Sequence, residues 1–306
     1  MDTKQIEYIL KIAEENNITK AAEKLFITQS ALNQQLLKLE KELGTPLFHR
    51  SRTNWRLTEA GEIYIEGAKA ALQIKNTTYN RIYDVVSARK GHLTIGLTPG
   101  RGLRMFTAIY PELHRSFPNL DVRPIEMRVR AQQDAIAKGD IDVGLMTLTQ
   151  KDQTSDTYYP LKQEELVLII PSGHPLAAKA APSGEPLTTL DLTELRYEPF
   201  VLMDKTSTLR SSCDLLFEKA GFAPNILFET NNTSGIAAMV QSTLCCGIIP
   251  RYYTLGLTEG VACFSLPERP SWEIVISCQK NGYLNSGARE FIRLAREYWE
   301  NSAPLF

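Results

Sequence analysis

No stretch of this 306-residue sequence approaches the roughly 18–20 consecutive apolar residues that a membrane-spanning helix needs. The opening "MDTKQIEYIL" has neither a basic n-region nor a cleavage site, so no secretory leader is expected and the chain reads as cytoplasmic, without a membrane partner. Cysteine is sparse. Cys213, Cys245, Cys246, Cys263 and Cys278 form no C-x-x-C pair and no spaced zinc framework, and adjacent Cys245 and Cys246 could close only a strained ring. All five are therefore expected to be reduced and mostly buried. His49, His92, His114 and His174 are scattered without ligand spacing, which gives no metal site. Nucleophile elbow, P-loop and H-E-x-x-H motifs are missing, so the sequence supports neither catalysis nor a resident cofactor. A large excess of one charge is lacking too, and a net charge of −1 argues against indiscriminate attachment to nucleic acid. That average hides a mild offset: residues 1–90 hold 14 Lys+Arg against 11 Asp+Glu, which puts the basic excess at the N-terminal end.

What is present there begins with helices. Ile6, Ile9, Leu10 and Ala13 recur at helical spacing over residues 3–16, ending near Asn16 and Asn17. Thr19 can cap a short second helix over "KAAEKLF", and Thr28 a third, which Gly44 closes. Ala31, Leu32, Leu36, Leu39 and Leu43 mark the inner face of the third helix. Its outer face carries Gln29, Ser30, Asn33, Gln34 and Gln35, with only Lys38 near the middle. A face meant only for solvent usually takes Lys and Glu, because Asn is a poor helix former. Amides can instead bond bidentately to adenine in the major groove, and hydroxyls such as those of Thr28 and Ser30 can reach bases or phosphates. Two short helices joined by a tight turn, the second with such a face, form the helix-turn-helix pattern. Downstream, "PLFHRSRTNWRLT" offers two short apolar pieces around a polar tip, where Arg50, Arg52 and Arg56 would lie along phosphates as a β-wing does. The partner implied is double-stranded DNA. A small helical domain with a polar surface is the alternative, and the arginine cluster weighs against it.

Ala60, Ile63, Tyr64, Ala68, Ala71, Leu72, Ile82, Val85 and Val86 then stripe a long helix over residues 58–89, and a lone helix buries little of such a stripe. Either it packs on its own domain or it meets another copy. From residue 92 the pattern changes. "LTIGL", "DVRPIEM", "DVGLM", "LVLIIP", "FVLM", "ILFE", "GIIP" and "WEIVIS" read as strands, several of them apolar enough to be buried on both faces. Helical patterns intervene at about 101–117, 130–138, 209–220, 234–245 and 286–300, an α/β architecture. Such sheets bind ligands beyond the carboxyl ends of their strands, where helix N-termini point N–H groups at anions.

Residues 18–66 resemble the N-terminal winged helix-turn-helix of the LysR-type transcriptional regulators. The resemblance lies in Ala21-Ala22, Leu25, Thr28-Gln29-Ser30, Leu39-Glu40, Leu43-Gly44, Leu47-Phe48, Arg50 and Leu57-Thr58-Glu59-Ala60-Gly61. Gln34 and Gln35 stand where members often carry arginine, so a guanine-rich target is not implied. The resemblance implies a winged helix-turn-helix DNA-binding domain over residues 1–58 and a linker helix and hinge over 59–90. An effector-binding domain over 91–306 would follow, two-lobed, α/β and similar to periplasmic binding proteins. Lobe I would comprise about 92–163 and 268–306, and lobe II about 164–267. It further implies a homodimer or homotetramer paired through the linker helix, and RNA polymerase as a further partner.

The family's effector cleft uses the loop "TPGRG", which makes Thr98, Gly100 and Arg101 the first expected contacts, with Arg101 as a cation at the cleft mouth. "MRVRAQ" would bring Arg128 and Arg130 to the same rim, and Thr206, Thr208, Asn232 and Thr233 would face them from lobe II. Arginines around a cap-rich cleft favour an anionic effector such as a carboxylate. Ordinary helix caps with solvated arginines are the competing reading of the same residues. Two rivals remain for the whole chain, a solute-binding protein and a small-molecule enzyme. The first has no use for residues 1–60, and the second lacks a reactive constellation. The cysteine spacing does not match the close redox pair of the family's peroxide-sensing branch.

Overall fold

The computed structural model describes residues 2–51, 55–86, 89–182, 184–257 and 259–302. Two compact units result, one of Met1–Ala88 with Lys138–Asp140 and the other of Arg89–Ala137 with Ile141–Phe306.

In the first unit, helix α1 (Thr3–Glu15) starts at Asp2, whose carboxylate accepts from the Lys4 backbone, and buries Ile6, Ile9 and Ile12. Helix α2 (Ile18–Lys24) is capped by Asn17, which accepts from the backbone of Thr19 and Lys20. Asn17 replaces the expected Thr19 because Asn is the stronger N-cap, and starting two residues earlier buries Ile18. Helix α3 (Gln29–Leu43) starts at Thr28 and stops at Gly44, whose φ of 73° suits glycine. Leu32, Leu36 and Leu39 face inward, whereas Leu43 lies outside the core at 45% exposure. Strands β1 (Phe48–His49) and β2 (Arg56–Leu57) pair antiparallel as a short wing.

The 27-residue helix α4 (Glu59–Val85) is capped by Thr58, which accepts from the Gly61 backbone. Its apolar stripe divides. Tyr64 and Ala68 are buried in the core formed by α1, α2, α3 and the wing, with Ala71 and Leu72 packed against it. Ile63, Ile74, Ile82, Val85 and Val86 stay exposed.

The second unit is α/β. Strand β3 (Lys90–Leu97) runs parallel to both β4 (Asn119–Glu126) and β5 (Val143–Leu148). Helices α5 (Arg101–Ser116) and α6 (Val129–Lys138) follow β3 and β4. Strand β6 (Thr157–Pro171) joins two sheets: Thr157–Glu165 pairs with β11 (Ser271–Cys278), and Val167–Pro171 with β10 (Val261–Ser265). On its far half β6 also pairs with β9 (Gly247–Pro250). A two-stranded parallel sheet joins β7 (Pro199–Met203) to β8 (Asn225–Thr230), with α7 (Thr208–Lys219) and α8 (Thr233–Gln241) after them. Helix α9 (Ser286–Glu300) returns to the first sheet and buries Phe291, Ala295 and Trp299 in its core. A separate core around Phe200, Phe217, Ile248 and Phe264 fills the other lobe.

Three features depart from the expected strands. The strand foreseen as "LVLIIP" begins nine residues earlier, at Thr157, because Pro160 sits at a register shift where its missing donor costs little. The short β10 lies where the sequence pattern gives no strand. "ILFE" proves to be an edge strand, mostly exposed rather than covered on both faces. None of the described helices is long and apolar enough to cross a membrane.

Candidate nucleic-acid face and ligand cleft

The first unit presents α3 as a polar face. Thr28, Gln29, Ser30, Gln34 and Lys38 are exposed and Asn33 is half-buried. Thr28 is partly committed, since its hydroxyl accepts from the Ala31 backbone and lies 3.1 Å from the Ser30 hydroxyl. Arg50 differs from a free phosphate clamp. Its guanidinium pairs with Glu40, which is buried and whose other oxygen accepts from the Leu47 backbone at 2.8 Å. Stacked 5.4 Å from the Trp55 ring, Arg50 fastens the wing to the end of α3. Arg56 is exposed on β2. Arg52 lies outside the described residues.

In the second unit one cavity of about 470 Å³ is bounded by residues from both lobes. Thr98, Gly100, Arg101 and Arg128 line it from one side, and Thr206, Thr208, Asn232 and Thr233 from the other. The reason they meet is topological. Loops after β3, β7 and β8 end at the starts of α5, α7 and α8, so cap residues converge at the strands' carboxyl ends. Gly100, with φ of 72° at the start of α5, holds a conformation that favours glycine. Several polar side chains serve the fold first: Asn232 accepts from Ser234 and Gly235, and the buried Thr208 hydroxyl donates to the Thr147 carbonyl. The Thr98 hydroxyl is buried without a hydrogen-bond partner among the described residues.

Arg101 is not the exchangeable cation that its sequence context suggests. It is 5% exposed and its guanidinium pairs with Glu164, which is fully buried. Glu164 also accepts from the Trp272 indole at 2.7 Å and the Tyr252 backbone at 3.0 Å. Tyr252, Tyr253 and Trp272 surround the guanidinium at 5.5, 5.8 and 5.8 Å. The next residue, Glu165, is equally buried. Burial alone would raise its carboxyl, but Arg269, Ser265 and Arg251 hold it below the ordinary range. Arg130 also departs from expectation: it lines a separate pocket with Lys151 and Asp152, being in the first turn of α6 whereas Arg128 lies just before that helix.

Sequence reasoning missed the cavity's apolar wall, formed by Met203, Leu209, Pro250, Tyr253 and Trp272. In a sequence these residues look like ordinary core, and the one available signal was the paired aromatics of "RYYT". Burial disfavours ionisation of the five cysteine thiols. All are free, and burial pushes the Cys213 and Cys246 thiols up to about 12 and Cys263 to about 11, so the reactive thiolate is scarce.

The two units match known families in turn. Residues 3–62 fit the model of the bacterial regulatory helix-turn-helix protein of the lysR family, and residues 87–300 that of the LysR substrate binding domain. The chain belongs to the LysR family of transcriptional regulators. It is thus a DNA-binding regulator and not an enzyme. Among similar proteins are the uncharacterized HTH-type regulator YcgK of Bacillus subtilis, 29% identical over 97% of this chain and 94% of its own. The Hca operon transcriptional activator HcaR of Escherichia coli is 26% identical over 97% of this chain and 98% of its own. Among solved structures, CbnR in complex with target DNA superposes with a TM-score of 0.67 at 20% identity, covering 97% of this chain and all of its own. A full-length OxyR variant from Pseudomonas aeruginosa gives 0.68 at 21% identity, covering 98% and 95%. At these identities the structural likeness concerns the fold.

Proposed function

We propose that the chain is a ligand-responsive regulator in which residues 1–58 bind double-stranded DNA, residues 59–90 pair with a second copy and residues 91–306 bind a small-molecule effector. The observation that carries the DNA reading is the exposed amide and hydroxyl face of α3 beginning at its capped N-terminus. In a helix-turn-helix, side chains near that end reach base edges. Gln29, Ser30, Asn33 and Gln34 are assigned to bases, and Thr28, Lys38, Arg52 and Arg56 to the phosphate backbone. Arg50 keeps the wing in place for them. The exposed Ile63, Ile74, Ile82 and Val85 on α4 support a homodimer or homotetramer, since that stripe has no use inside its own unit.

The effector is assigned to the interlobe cavity, in contact with Thr98, Gly100, Arg128, Thr206, Thr208, Asn232 and Thr233. Arg101 contributes wall there rather than free charge. Three helix starts and Arg128 favour a ligand carrying a carboxylate. Transcription activation would add RNA polymerase as a partner.

The test of the recognition face is Asn33→Ala. Loss of a bidentate base contact is expected to remove roughly 1–3 kcal/mol of discrimination between operator and random duplex. Arg56→Ala should instead weaken both about equally and lower the salt slope by about one. Anisotropy titrations over a salt series measure both quantities. Equal losses on the two duplexes for Asn33→Ala would remove that residue from base reading.

A further inference from the structure

We propose that Asp204 is a built-in competitor for the effector's carboxylate: it pairs with Arg128 across the cleft and must release it when a ligand anion enters. This rests on the cleft reading above. The two guanidinium groups on the cavity wall differ in what an incoming anion can do to them. Glu164, the partner of Arg101, is 0% exposed on its side chain and accepts three donors, so displacing it would strand a buried charge. Arg128 and Asp204 keep 44% and 25% of their side-chain surface exposed. Both keep contact with solvent, so parting this pair costs less than parting Arg101 from Glu164.

The pair also spans the cavity. Arg128 follows β4 in one lobe, and its Nη1 donates to Asp204 Oδ1 at 2.7 Å just after β7 in the other. The Thr206 hydroxyl accepts from the same guanidinium, and the Thr206 backbone N–H donates to the same Asp204 oxygen at 3.0 Å. Through these bonds Arg128 ties down the loop that leads into the Ser207 cap of α7. The Thr206 hydroxyl also donates to Asp204 Oδ1, while the other Asp204 oxygen is buried and finds no hydrogen-bond partner among the described residues.

A ligand carboxylate replaces Asp204 at Arg128 and frees that loop from the opposite lobe. A neutral ligand of the same shape leaves the pair intact. The cleft thus selects molecules with one anionic head at Arg128 and an apolar body against Met203, Leu209 and Trp272, and Asp204 sets the threshold the head must overcome.

Propionate and its neutral isostere propionamide are the probes, followed by thermal shift on the full chain. Asp204→Asn and Asp204→Ala are expected to lower the propionate concentration for half-maximal stabilisation about threefold to fivefold, the worth of one exposed ion pair. Propionamide should respond alike in every variant, and Arg128→Gln should abolish the advantage of propionate over it. If Arg128→Gln weakens propionate while both Asp204 variants match wild type, the cleft reading stands and the competitor role falls. If Arg128→Gln changes nothing, or propionate fails to stabilise the Asp204 variants in which Arg128 is freed, both fall.

Discussion

Arg101→Ala is expected to destabilise the second unit by about 3–5 kcal/mol, the cost of leaving one member of a buried ion pair uncompensated. The residue left behind is Glu164, fully buried on β6 next to the point where that strand passes from one sheet to the other. Its remaining donors, the Trp272 indole and the Tyr252 backbone, do not neutralise a carboxylate. The variant also empties the space between three aromatic rings. Arg101→Lys should recover only part of the loss, because an ammonium is a compact charge that cannot reproduce the flat guanidinium against those rings. Combining Arg101→Met with Glu164→Gln removes both charges and should cost less than Arg101→Ala alone, since paired removal leaves no stranded ion. Urea unfolding followed by tryptophan fluorescence measures all three. A loss below about 1 kcal/mol for Arg101→Ala, as for an exposed ion pair, would show that the charge is not structural.

Gly61→Ala is expected to cost about 3 kcal/mol, the upper end of the overpacking range, and to fall on the DNA-binding unit. A Cβ at position 61 would lie 2.1 Å from the Leu47 carbonyl oxygen and 3.0 Å from the Leu57 side chain. The nearer clash is with Leu47 backbone, which cannot swing aside. Thr58 caps α4 and donates to the Pro46 carbonyl, while its backbone N–H donates to Leu47. The first turn of α4 therefore cannot retreat without pulling the wing apart. Thermal unfolding of the variant should show a destabilised first transition together with weakened binding to every duplex. Wild-type stability would contradict this close approach.

These two residues also mark what could be seen in the sequence. Gly61 stands in the "LTEAG" run, and its role follows from a helix start packed on a hairpin of short strands. The three N-terminal helices and the amide face were legible because apolar spacing and capping residues agree there, the exception being Asn17 in place of Thr19. The cavity's polar rim was legible for a related reason: cap residues gather wherever a strand feeds a helix, and α5, α7 and α8 all start at one end of their sheets. Partners far apart in sequence were not. Glu164 lies 63 positions from Arg101, and Asp204 lies 76 from Arg128, so each arginine looked free. Nothing local in "KQEEL" distinguishes two buried carboxylates from a solvated acidic turn, and that hid the first half of β6.

Sequence-specific DNA binding by this chain is measured most directly as its affinity for the DNA immediately upstream of its own gene. Titrated by fluorescence anisotropy at physiological salt, that segment should bind at least about 10³-fold more tightly than a random duplex of equal length. Equal affinity for the two duplexes, with the same salt slope, would contradict it.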